Sequence, residues 1–186
     1  MSPPRRVYLD GNSLGPERHL GDLAQPIPGW VGHADPFSMS EVHEPAAGIR
    51  RMLSGTPPVL GLAALDAALT AFDGVDMGVL RTRSLALTDR CIRRADELQL
   101  ETVTPRDAES RGSQVSLRHE HAWGVVQALI AAGVIGDFRP PDLIRYGLAP
   151  LHTTLADVDE AMTRLAEVLR TQSWRQWLDA DRPTVT

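Results

Sequence analysis

Beyond Pro57 the apolar residues of this 186-residue chain switch between spacings of three to four and a spacing of two, and this restricts the fold more than any other feature. Leu62, Leu65, Leu69 and Phe72 recur at helical steps, which predicts a helix started by Pro57 and Pro58 and ended by Gly74. A second helix is predicted from about Met77 to Leu98. Leu80, Leu87, Cys91, Ala95 and Leu98 form its stripe, and Arg81, Arg83, Asp89, Arg90, Arg93 and Arg94 crowd its other faces. Both stripes are expected to pack on apolar surface. Gln114 to Leu117 alternates as a half-buried strand does. Trp123 to Ala132 has a helical face of Val126, Leu129 and Ile130 closed by Gly133. Val134 to Phe138 and Leu143 to Leu148 read as strands around the turn Arg139-Pro140-Pro141-Asp142. Thr154 with Asp157 makes a capping-box start for a last helix carrying Leu155, Val158, Met162, Leu165, Val168 and Leu169.

The order helix, helix, strand, helix, strand, strand, helix implies an α+β layer: a small mixed or antiparallel sheet covered by helices on one face. Residues 1–56 are crowded with Gly and Pro and show no sustained period, so they are expected to form an irregular segment wrapping the α+β domain of residues 57–173. Residues 174–186 have no clear period and are read as a mobile tail.

Charge and composition narrow the function classes. A net charge of -5 offers no attraction to nucleic acid or to an anionic membrane surface. No apolar run approaches the roughly 18 residues that a membrane helix needs, and the N-terminus lacks the apolar core of a signal peptide, so a cytoplasmic location is expected. Cys91 is a single cysteine, which rules out an internal disulfide. His119 and His121 would share a face on a strand, yet no third ligand lies near them and no metal site is expected. Ser54, Ser84 and Ser116 sit in no nucleophile elbow. All 19 basic residues are arginines, so the chain contains no lysine.

Several local strings occur together: Tyr8-Leu9-Asp10-Gly11-Asn12-Ser13-Leu14-Gly15-Pro16, Gly29-Trp30-Val31-Gly32-His33, Gly55-Thr56-Pro57-Pro58, Leu85-Ala86-Leu87-Thr88 and Thr104-Pro105-Arg106-Asp107. Arg111-Gly112-Ser113-Gln114-Val115-Ser116-Leu117, Gly133-Val134-Ile135-Gly136-Asp137 and Ile144-Arg145-Tyr146-Gly147-Leu148-Ala149-Pro150-Leu151 continue the series. In this order they resemble the kynureninases over nearly the whole chain. The resemblance implies the small domain of a fold-type I pyridoxal phosphate enzyme, and a family reaction in which kynurenine is hydrolysed to anthranilate and alanine in tryptophan catabolism.

The same resemblance implies roles for four residues. Trp30 and Thr56 correspond to donors that reach the cofactor phosphate from a neighbouring subunit. Arg145 corresponds to the arginine that binds the substrate carboxylate, and His33 to a residue near the substrate's aromatic end. The plainer readings are a core or interface aromatic for Trp30, a helix N-cap for Thr56, a salt bridge for Arg145 and an exposed loop histidine for His33. Val31 and His152 stand where the family pattern leads one to expect aromatic residues.

The large departure is between Pro16 and Pro26, where the family places the large domain with its phosphate-binding threonines, its aspartate and its lysine. Pyridoxal phosphate catalysis needs an amine to hold the aldehyde, and a guanidinium, always protonated, cannot substitute. The expected function is therefore a truncated kynureninase-like chain, inactive alone. The alternative is a non-catalytic module that binds or complements a separate large domain or a full kynureninase. Expected partners are a second copy or a large-domain chain, and a kynurenine-like small molecule.

Overall fold

The computed structural model describes residues 6–9, 13–16, 19–20, 22 and 24–178, and these fall into two compact units divided after Gly74. The residues at 10–12 in the first string and at 179–186 in the expected tail lie outside the described residues.

The first unit is joined by backbone pairing and by side-chain bonds to backbone carbonyls far along the chain. Strands β1 (Arg6–Leu9) and β2 (Ser13–Pro16) pair antiparallel, with Leu9 opposite Ser13. Two 3-10 turns follow, at Trp30–Gly32 and Gly48–Met52. A Cβ at Gly29 would overlap the carbonyl of Ser54, and one at Gly32 would overlap that of Leu53. The two glycines of the Gly-Trp-Val-Gly-His string are thus required by close backbone approach. Around them the Gln25 amide donates to Met52 O at 2.6 Å, Ser54 Oγ to Ile27 O at 2.9 Å and Arg51 Nη1 to Leu20 O at 2.7 Å. Leu20, Gly32, His33 and Ala46 are the buried residues among those described in this unit.

Helix α1 (Val59–Leu69) begins directly after Pro58, as the two prolines predict. Its expected packing does not occur. No residue of α1 is buried; Leu62 and Leu69 are exposed, as is Phe72 in the short 3-10 turn that continues it. The reason is the sequence Val-Leu-Gly-Leu-Ala-Ala-Leu-Asp-Ala-Ala-Leu: apolar residues occupy the whole circumference, so the four residues chosen by spacing do not define a separate face.

The second unit is a four-stranded antiparallel sheet in the order β3-β4-β6-β5, made of β3 (Glu101–Thr102), β4 (Gln114–Arg118), β5 (Asp137–Arg139) and β6 (Leu143–Gly147). Helices α2 (Met77–Glu97), α3 (Ala122–Ala131) and α4 (Leu155–Thr171) contribute to one core with it. Val115, Leu117, Ile144 and Tyr146 face that core together with Leu87, Cys91 and Ala95 of α2, Val125 and Leu129 of α3, and Met162 and Leu165 of α4. The expected α+β layer is present, and its sheet is antiparallel rather than mixed.

Local departures have local causes. The buried residues of α3 include Ala122, Val125, Val126 and Leu129, which lie three or four positions apart across successive turns, and Ile130 is turned to solvent. Val134 does not start a strand. Its N–H bonds Leu129 O at 2.8 Å while the N–H of Gly133, at φ +82, bonds Ile130 O at 2.9 Å, a helix-ending motif that delays β5 to Asp137. The capping box of α4 is present: Asp157 N–H donates to Thr154 Oγ1 at 3.2 Å and Thr154 N–H to Asp157 Oδ2 at 2.8 Å.

Residues 174–178, at the start of the expected tail, are among those described. Ser173–Trp177 forms a 3-10 turn in which Trp174 is buried against α3, close enough that a Cβ on Gly124 would lie 2.7 Å from Trp174 O. His121 stacks on the Trp174 ring at 4.4 Å. Those aromatic contacts carry no sequence period, which is why spacing alone did not find them. The division after Gly74 leaves α1 with the first unit and opens the second at Val75.

Candidate functional site

The strand β6 sets the position of Arg145. Alternation sends Ile144 and Tyr146 into the core and Arg145 to the opposite face of the sheet, where the pairing register places Ser116 of β4 on one side and Asp137 of β5 on the other. The guanidinium is half-buried and closes on Asp137, with Nε donating to Oδ2 at 3.0 Å and Nη2 to the same oxygen. Arg139 Nε approaches that oxygen at 3.4 Å. The plain salt-bridge reading of Arg145 is thus realised, but it occupies only the Nε–Nη2 edge of the fork. Nη1 has no acceptor among the described residues.

Beside this row lies a shallow cleft of about 420 Å³ lined by Thr104, Ser110, Arg111, Gln114, Ser116 and Leu143, among others. Its wall is anchored by Arg111, whose side chain is only 3% exposed. That guanidinium donates from Nε to Thr88 Oγ1 at 3.2 Å, from Nη1 to Arg106 O and from Nη2 to Asp89. Ser116 Oγ accepts from Gln114 Nε2 at 3.2 Å, and Ser116 N–H donates to Thr104 Oγ1 at 2.8 Å. Asp137, Ser116 and Arg111 are candidate site residues to which the sequence reading gave no binding role. The first two become neighbours of Arg145 only through the strand register.

Trp30 and His33 line a second cleft of about 420 Å³, within the first unit, together with Asp35, Met39, Glu41 and His43. Trp30 is 52% exposed and its ring tilts against Phe37 at 5.7 Å. His33 is buried rather than exposed, and both its ring nitrogens are engaged. Nδ1 accepts from Asp35 N–H at 2.9 Å, so the ring carries its hydrogen on Nε2, which meets Val42 O at 3.2 Å. The imidazole therefore fastens its own loop. Thr56 is exposed and does not cap α1, whose N-cap is Pro58 with no side-chain capping bond. Thr56 does not line the cleft that holds Trp30 and His33, and Arg145 belongs to the other unit.

Two further features bear on chemistry. Burial pushes the Cys91 thiol up to about 12, and its hydrogen points to Met162 Sδ at 3.8 Å, so it is a core residue and not a nucleophile. Among the described residues no group of three or more His, Cys, Asp or Glu side chains could hold a metal ion, and no helix is long and apolar enough to cross a membrane.

Residues 80–165 match the kynureninase C-terminal domain. The kynureninase of Deinococcus radiodurans is 50% identical over 172 residues, covering 87% of this chain, and that of Burkholderia pseudomallei is 43% identical over 175 residues, covering 92%. The chain belongs to the kynureninase family. It spans 42% of the length of each of these kynureninases, which are therefore much longer proteins. The fold agrees with solved fold-type I enzymes. A cysteine desulfurase from Thermococcus onnurineus superposes with a TM-score of 0.67 over 85% of this chain at 17% identity, and one from Escherichia coli with 0.59 at 19%. At such identities the likeness concerns fold alone.

Trp30 offers an indole N–H and Thr56 a hydroxyl, neither with a partner among the described residues, and both donor types suit a phosphate. The carboxylates of Asp35 and Glu41 share the Trp30 cleft, so that cleft does not concentrate anions by itself. The donor types suit the phosphate end of pyridoxal phosphate, although Thr56 lies outside the cleft that holds Trp30. The amine that would hold its aldehyde has no counterpart in the 186 residues.

Proposed function

We propose that this chain is the small-domain portion of a kynureninase and contributes recognition, while a lysine-bearing large domain on a partner chain contributes the covalent chemistry. The observation that carries this reading is the placement of Arg145 on the sheet face away from the helices, beside a cleft and with one end of its guanidinium unengaged. Arg145 holds the α-carboxylate of a kynurenine-like substrate, a task suited to a planar fork that grips both oxygens. Trp30 and Thr56 donate to the phosphate of pyridoxal phosphate. His33 keeps the Trp30 loop in shape through its two backbone bonds near the substrate's aromatic end. When bound, the cofactor supplies an electron sink beside the substrate's α-carbon.

The completed assembly is a cytoplasmic dimer that hydrolyses kynurenine to anthranilate and alanine in tryptophan catabolism. The 186-residue chain alone is a pseudoenzyme. Two observations support a partner: the kynureninases it matches are more than twice its length, and α1 is apolar around its whole circumference with no residue buried.

The test is titration of the purified chain with L-kynurenine, anthranilate, pyridoxal phosphate and inorganic phosphate, followed by NMR, for the wild type and Arg145→Ala. Millimolar binding of the carboxylates that Arg145→Ala abolishes, with phosphate binding unchanged, is expected. Equal shifts in both proteins overturn the assignment of Arg145. Borohydride reduction with pyridoxal phosphate should trap no adduct on an internal side chain, and anthranilate should form only after a lysine-bearing large domain is added.

A further inference from the structure

The Arg145 row contains more than a binding residue. A free arginine side chain samples many rotamers, and a carboxylate ligand must then order it at an entropic cost. Here one edge of the guanidinium is already held: Nε and Nη2 both donate to Asp137 Oδ2, from the neighbouring edge strand. Asp137 is itself pinned by Arg139 Nε at 3.4 Å on the same oxygen. Two guanidiniums share one carboxylate, so the cluster keeps a net positive charge and still attracts an anion. The engaged Nε–Nη2 edge leaves Nη1 and the outer hydrogen of Nη2 as an end-on pair of donors, and Ser116 flanks Arg145 on the cleft side.

We infer that Asp137 is a positioning residue, with Arg139 as its second anchor, that holds Arg145 with its Nη1–Nη2 end presented to the carboxylate of the ligand. This rests on the reading of Arg145 given under the proposed function. The opposite possibility in the same geometry is that Asp137 competes with the ligand for the guanidinium, and the two differ in sign. A positioning carboxylate lowers affinity when removed, and a competing one raises it.

The experiment uses the whole 186-residue chain as wild type, Arg145→Ala, Asp137→Asn and Asp137→Glu. Without ligand, the Arg145 Nε–Hε resonance, identified by its loss in Arg145→Ala, is followed by 15N NMR for chemical shift and hydrogen exchange. L-kynurenine and L-kynureninamide, which lacks the carboxylate, are then titrated. The expected result in Asp137→Asn is a displaced and faster-exchanging Nε–Hε signal, with kynurenine affinity about five- to tenfold weaker and kynureninamide affinity unchanged. Asp137→Glu should recover part of the loss. Backbone amide spectra that stay superposable away from β5 and β6 separate this from unfolding.

An Nε–Hε signal that Asp137→Asn leaves unmoved overturns the inference, as does kynurenine binding equal to or tighter than wild type in that variant while Arg145→Ala still abolishes it. Kynurenine binding unaffected by Arg145→Ala overturns the inference together with the reading on which it rests.

Discussion

Helices α1 and α4 are both rich in leucine and alanine, yet they use those residues in opposite ways. In α4, Val158, Met162, Leu165 and Val168 form one buried stripe, while Asp159, Glu160, Arg164 and Glu167 take the other faces in ion pairs with Arg90, Arg164 and Arg170. In α1 apolar side chains surround the axis, Asp66 is the sole charge, and nothing is buried. A stripe tells a helix which side to bury and can be satisfied by one sheet. A full apolar circumference can be satisfied only by surface on several sides. The second unit of this chain is thus complete in its core, whereas α1 asks for surface that the described residues do not supply.

The comparison makes its strongest demand at Leu165, which is fully buried. Leu165→Ala is expected to destabilise the chain by about 3–4 kcal/mol, through lost burial and an unfilled cavity, read as the midpoint of urea unfolding. A smaller step follows at Arg111. Arg111→Ala removes three contacts from a buried guanidinium and should cost about 2–3 kcal/mol in the same assay. Thr154→Ala deletes half the capping box of α4 and should lower stability by about 1 kcal/mol. Were the first of these losses absent, the second unit would not have the self-sufficient core attributed to it.

A pH dependence sharpens the same contrast at the C-terminal turn. Burial first, and then the neighbouring His121, lower the His119 imidazole below its ordinary value of 6.5, with Glu120 opposing. The unfolded chain therefore takes up this proton before the folded one does. The contribution to stability is present above pH 6.5 and is lost as pH falls from there through the folded value. Thermal melting between pH 8 and pH 5 should show this decline, and His119→Gln should flatten it. Carboxylates add their own acid sensitivity only at lower pH, because Asp159, held down by Arg90, and Asp157, held down by hydrogen bonds from Thr154, titrate below the usual carboxylate range.

The smallest stability effect is expected in α1. Leu60 is 88% exposed, so Leu60→Ser should leave the unfolding midpoint within about 0.5 kcal/mol of wild type. The same change should reduce binding of an apolar fluorescent dye. A large loss of stability instead would show that α1 already has the partner surface it is argued to lack.

Much of the fold was legible along the chain because it rests on local rules. The stripe of α2, the capping box at Thr154 and the strand through Arg145 follow from periods of 3.6 and 2 and from one hydroxyl-carboxylate pair, all readable within a few residues. For the candidate site, Arg145, Trp30 and Thr56 were suggested by the family resemblance, and the sequence itself adds strand alternation around Arg145 and the lack of lysine in the chain. Neither period nor composition indicates which residues lie across a sheet from one another. The antiparallel register put Asp137 and Ser116 beside Arg145, and backbone packing of residues 53–54 against Gly29 and Gly32 explained those two glycines. Ring contacts with no repeat held Trp174 in place. The failure at α1 has the same origin, since spacing can show that a helix has apolar residues but not whether another surface is there to meet them.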